Sequence, residues 1–214
     1  MIVLMSAFLL LSAFSCGGGN KANSTSEQSE ETAVNVPQFD ADSAYLYVKN
    51  QVDFGPRVPN TKEHVACGNY LAGQLEAFGA QVTNQYADLI AYDGTLLKAR
   101  NIIGSYKPES KKRIALFAHW DTRPWADNDP DEKNHNTPIL GANDGASGVG
   151  ALLEIARLVN QQQPELGIDI ILLDAEDYGA PQFYTGQHKE EFWCLGSQYW
   201  ACLLYTSPSP RDTR

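Results

Sequence analysis

The chain has 214 residues, enough for one domain with a sizeable buried core. Its formal net charge is -10, from 16 Lys and Arg against 26 Asp and Glu. Nucleic acid is excluded as a partner, because phosphate binding needs clustered basic residues, and most of the acidic excess reads as solvated surface.

Residues 2–14 form an apolar run too short to span a bilayer and of the right length for a signal-peptide core. The run ends in Ala13-Phe14-Ser15-Cys16, followed by three glycines, and resembles a bacterial lipoprotein leader whose Cys becomes the lipidated N-terminus. Phe14 stands where a small residue is usual, and no Lys or Arg precedes the apolar core. A plain cleaved signal and an uncleaved anchor therefore stay open beside the lipoprotein reading. Residues 17–36 are Gly, Asn, Ser, Thr, Gln and Glu with little to bury, which predicts a flexible linker.

Asp40 or Asp42 is placed to cap a helix running to about Val52. A turn-rich connector follows, and then a helix from Thr61 or Lys62 to Phe78, with Cys67, Leu71, Leu75 and Phe78 on one face and Gly79 at its end. Two strand-like stretches, residues 81–90 and 95–104, flank the turn signal Tyr92-Asp93-Gly94 and read as an antiparallel hairpin. A short buried strand is expected over residues 112–119, a long polar loop over 121–140, a helix over 146–160 and another strand over 168–173. Strand, helix, strand with continuous apolar runs is the mark of a parallel βαβ unit buried on both faces. Residues 195–201 open another helix, which two prolines then interrupt; residues 202–214 resemble translated adapter sequence more than a native terminus. The expected domains are a leader over 1–16, a linker over 17–36, a partial catalytic domain over 37–201 and a non-native tail over 202–214.

Parallel strands end on one edge of their sheet, where α/β proteins gather their chemistry. His119 and Asp121 end one strand, Asp174, Glu176 and Asp177 end the next, and Asp144 precedes the joining helix. Zinc accepts imidazole nitrogen and carboxylate oxygen, so Asp144 and Asp177 are candidate ligands and His119 is the only nearby imidazole. Asp121 is suited to orienting His119 from behind, and Glu176, beside a ligand, to moving protons. Each residue alone reads more simply as a cap, a solvated acid or a structural His; their order around one βαβ unit makes the metal site the better reading. Cys67, Cys194 and Cys202 fit no CxxC knuckle and do not read as zinc ligands; Cys67 and Cys194 could pair in an exported protein, and read more simply as two separate buried thiols. Asp127, Asp129 and Asp131 lack the Gly and Glu of a calcium loop and read as a solvated acidic loop. His64 and His135 read as surface residues.

The segments HWDTRPWAD, GANDGASGVGALLEIAR, ILLDAEDYG and WCLGSQYWA, in this order, resemble the exported zinc aminopeptidase family that also contains the animal-type glutaminyl cyclases. The resemblance runs from about Pro37 to Ala201. It implies an α/β fold with a mixed, mainly parallel β-sheet flanked by helices. Residues 178–194 intervene between the acidic pair and the Leu-Gly-Ser helix start, carrying Phe183, Tyr184, Phe192 and Trp193. Such an aromatic insertion is similar to the cyclases, where it walls a small pocket, so Trp193 and Phe192 are the expected pocket residues.

The resemblance implies a zinc-dependent glutaminyl-peptide cyclotransferase acting on peptide or protein N-termini that begin with Gln. Asp144 and Asp177 would bind zinc and Glu176 would be the proton shuttle. A cyclase implies one zinc with His119 near the site; an aminopeptidase implies two, with His119 a ligand. The family has a further metal-binding His and a second acidic cluster with no matching positions in this chain. A non-catalytic binding lipoprotein is the remaining alternative. The membrane is expected as a partner only through the lipid anchor.

Overall fold

A computed structural model describes residues 35–206, and from Pro37 onward the described chain forms one compact unit. The leader and nearly all of the linker lie outside the described residues. Helix α1 (Ala41–Asp53) starts where Asp40 accepts hydrogen bonds from the Asp42 and Ser43 amides. Helix α2 (Lys62–Ala77) starts where Thr61 accepts from the His64 amide. Both side chains satisfy amides that a helix start leaves without partners. Strands β1 (Gln81–Ile90) and β2 (Leu96–Tyr106) pair antiparallel around the Tyr92-Asp93-Gly94 turn. Then come β3 (Arg113–His119), α3 (Ala146–Gln161), β4 (Gly167–Leu173) and α4 (Leu195–Thr206). Helix α4 is described as far as Thr206; the two prolines expected to interrupt it, and most of the expected tail, lie outside the described residues. Among the described residues no helix is long and apolar enough to cross a membrane.

The four strands lie in the order β1-β2-β4-β3. The mixed α/β sheet is as expected, but among the described residues parallel pairing is confined to β3 and β4; β1 with β2 and β2 with β4 run antiparallel. The chain reverses in the β1–β2 hairpin and again between β2 and β3, while the α3 crossover keeps β4 parallel to β3.

Period-two alternation divides the sheet into two faces. Ile102, Tyr106, Ile168, Ile170 and Leu172 pack against Leu71 and Leu75 of α2 and Val149, Leu153 and Ala156 of α3. On the opposite face Leu195 of α4 lies against Ala91, Leu97, Ala99 and Ala175, and Trp200 meets Phe117 edge-on. Strand β4 is buried almost throughout. Strand β3 corrects the expectation of burial on both faces: among the described residues it ends the sheet, and Ile114 and Phe117 are each 46% exposed.

Candidate active site

Parallel register sets His119 beside Leu173, so both strands release their chains at the same edge. The turn after β4 puts Ala175 in the left-handed region at φ 49, which redirects the chain before Glu176. Cys194, also left-handed at φ 54, brings the chain back: the Cys194, Leu195 and Gly196 amides donate to the carbonyls of Glu176, Ala175 and Asp174 at 2.9, 3.0 and 3.1 Å. Two strained residues face each other where the acidic pair emerges.

His119 is the hub. Its Nε2 lies 2.9 Å from Asp144 Oδ1, and its Nδ1 lies 3.5 Å from Asp121 Oδ1 and 3.7 Å from Glu176 Oε2. The Nδ1 atom is buried with no hydrogen-bond partner, so the Asp121 and Glu176 contacts are charge contacts. Burial opposes a charge on this ring, but Asp121, Glu176 and Asp144 together outweigh it and raise the imidazole to about 9.

Asp121 is fully buried and does more than stand behind His119. Its two oxygens accept the backbone amides of Glu176 and Asp177, each at 3.1 Å. The carboxylate at the end of β3 thereby latches the acidic pair at the end of β4. Glu176 is partly open, with 30% of its side chain exposed, and its Oε1 accepts from the Cys194 thiol at 3.3 Å. Burial, reinforced by Asp121, Glu176 and Asp144 and opposed by Arg123, pushes Asp177 up to about 7. Asp144 is the outermost member, with 63% of its side chain exposed.

Several residues depart from the sequence reading. Asp127 is not a solvated loop acid; it is buried, and both its oxygens are held by Arg123. Arg123 also reaches Asp177 Oδ1 at 3.3 Å and lies 4.9 Å from the centre of the Trp193 ring. That ring covers Gly179 so closely that a Cβ there would come within 2.1 Å of it. Trp193 therefore stands one side chain away from Asp177, while Phe192 lies 5.8 Å from the Lys189 ammonium. His64 is not a surface residue: it is 3% exposed and pairs with Asp174, which is fully buried. A signal for it was present, since extending the Cys67, Leu71, Leu75 stripe back by one turn lands on His64. Arg123 and Asp127 carried no such signal, because their contact forms in a loop rather than on a helix face.

The donors at this edge fit zinc in kind, carboxylate oxygens and an imidazole with an orphaned buried nitrogen. In number they fall short: among the described residues no three His, Cys, Asp or Glu are grouped so as to hold an ion. Asp144 is turned to His119 and Asp177 to Arg123.

Residues 101–213, which include every residue of this edge, match the model for peptidase family M28. The chain belongs to peptidase family M28. Within that family it is similar to a solved glutaminyl cyclase of Bacteroides thetaiotaomicron bound to N-acetylhistamine. The two are 94% identical over 78% of this chain and 57% of that one, with a TM-score of 0.78. The same identity, TM-score and share of this chain relate it to a solved structure described as a leucine aminopeptidase precursor of that organism, of which it covers 58%. It is 28% identical to the aminopeptidase YwaD of Bacillus subtilis over 70% of this chain and 30% of that protein. The chain thus spans little more than half the length of its solved M28 relatives.

Proposed function

We propose that the protein to which this chain belongs is a zinc-dependent glutaminyl-peptide cyclotransferase. The observation that carries this reading is the 94% identity to a glutaminyl cyclase over 78% of the chain. Asp144 and Asp177 would hold one zinc ion, which supplies Lewis-acid polarisation of a carbonyl when bound. Glu176, partly open and latched by Asp121, accepts a proton from the α-amine of an N-terminal Gln as that nitrogen bonds to the side-chain amide carbon. The carbon–nitrogen bond of the amide then breaks, and Glu176 returns the proton to the departing ammonia, leaving pyroglutamate. Trp193, braced on Gly179 and Arg123, walls the substrate side.

The likeness to a leucine aminopeptidase precursor supports a second reading, hydrolysis of N-terminal residues at the same edge. Incubating the full-length protein with Gln-amide and with unblocked Leu-amide separates the two. Ammonia and a pyroglutamyl product are expected, and both should cease after chelation of the metal. Leu-amide cleavage without cyclisation would replace the first reading by the second. We also propose export and lipidation at Cys16, supported by the leader pattern; mass spectrometry of the native N-terminus tests it.

A further inference from the structure

One side chain outside the acidic edge touches both strand ends that form it. His64, on the first turn of α2, lays its ring on Trp120, with centroids 4.3 Å apart and planes at 17°. Trp120 is flanked by His119 and Asp121. The same ring directs Nε2 at Asp174, 2.9 Å from Oδ1 and 2.8 Å from Oδ2. Asp174 begins the turn that carries Glu176 and Asp177, and its Oδ1 also accepts the Ala175 amide at 2.7 Å. The backbone of Arg100 closes the circuit: its amide donates to Asp174 at 2.6 Å, and its carbonyl accepts from the Trp120 indole at 3.2 Å.

We infer that His64 is a positioning residue, setting the distance and orientation between the His119–Asp121 end and the Glu176–Asp177 end. A buried carboxylate is costly unless every lone pair is used. Asp174 uses its own on His64, Arg100 and Ala175, one residue before the left-handed turn at Ala175. Removing the His64 hydrogen bond frees Asp174 to rotate, and the Ala175 amide loses a fixed acceptor. The turn then loses one of the constraints that aim Glu176, the Asp121 latch remaining on its far side. Packing of the ring on Trp120 is a separate contribution, so the two parts of His64 are separable by substitution.

The inference rests on the reading of Glu176 as the proton shuttle, which Glu176→Gln tests by itself. His64→Phe keeps a ring on Trp120 and removes the nitrogen; His64→Gln keeps a donor for Asp174 and removes the ring. Steady-state kinetics on the full-length, zinc-loaded protein, below each variant's melting temperature, should show kcat lowered about 10- to 100-fold in H64F with KM within about twofold. H64Q should stay within about threefold of the parent kcat although both variants melt earlier.

Amide hydrogen exchange of the metal-free protein gives an independent measure. The peptide spanning residues 174–178 should exchange faster in H64F than in the parent or H64Q, while a β1 peptide stays unchanged. If H64F does not fold, His64→Met takes its place. Parent-like kcat and exchange in H64F, or equal losses in H64F and H64Q, would overturn the inference. A fully active Glu176→Gln would sink the shuttle reading alone, because the exchange comparison still decides His64.

Discussion

Arg123 grips Asp127 with two nitrogens, Nε at 2.8 Å and Nη2 at 2.5 Å, in a pair that is almost wholly buried. The third nitrogen is turned to Asp177. Arg123→Ala therefore leaves two buried carboxylates without their cation. A loss of about 3–5 kcal/mol in urea unfolding is expected, and Arg123→Lys should recover little of it because a point charge cannot make the fork.

The same pair sets a pH dependence. The hydrogen bond from Arg123 holds the Asp127 carboxyl below its ordinary value, with the Gln182 amide adding to it. A depressed folded value contributes stability that is fully present above the unfolded value, about 3.9, and is lost as pH falls through the folded one. Unfolding midpoints of the parent and Asp127→Asn, followed from pH 6 to pH 2, should converge in the acid limb. Parallel curves would refute the assignment.

Gly145 separates Asp144 from α3 at φ 89, and a Cβ there would lie 2.9 Å from the Asp121 carbonyl oxygen and 3.3 Å from the His119 ring. Gly145→Ala meets both backbone strain and crowding. A loss of about 2 kcal/mol or more is expected, with activity falling further than stability explains. Melting curves beside kcat/KM check it.

Glu176→Gln should fold as the parent does, because the side chain is partly exposed and its hydrogen-bond partner is the Cys194 thiol. Its kcat should fall by about 10²- to 10⁴-fold, the usual contribution of a positioned proton carrier. Zinc content, measured by metal analysis, should not change.

The thiols should differ in reactivity. Burial pushes Cys67 up to about 12; burial together with Glu176 pushes Cys194 up to about 11; Cys202 is exposed. Alkylation of the folded 214-residue chain at pH 8, mapped by peptide mass, should modify Cys202 before Cys194, and Cys67 only after denaturation. Early modification of Cys67 would contradict its burial.

Element types, their order and the convergence of His119, Asp144, Glu176 and Asp177 on one sheet edge were legible in the chain itself. The Asp40 cap, the helix start at Thr61 or Lys62, the hairpin turn and the βαβ apolar runs are local patterns, and local patterns are written in consecutive residues. His64 was legible in part, through its place on the α2 stripe, yet histidine on a helix is ordinarily solvated and its partner lies 110 residues away.

What only the tertiary structure decided is the wiring among distant acids. The sequence could order Asp121, Asp174, Glu176 and Asp177 along two strand ends and Asp127 in the loop between them, but not say which would be buried or who would neutralise it. Strand parity sends Asp174 to the face of Leu172, under α2, where His64 waits. A loop without periodicity brings Arg123 to Asp127. Burial also distinguishes the fully hidden Asp121 from the open Asp144. Charge partners depend on separations of a few ångströms across non-adjacent segments, and a sequence records order rather than distance.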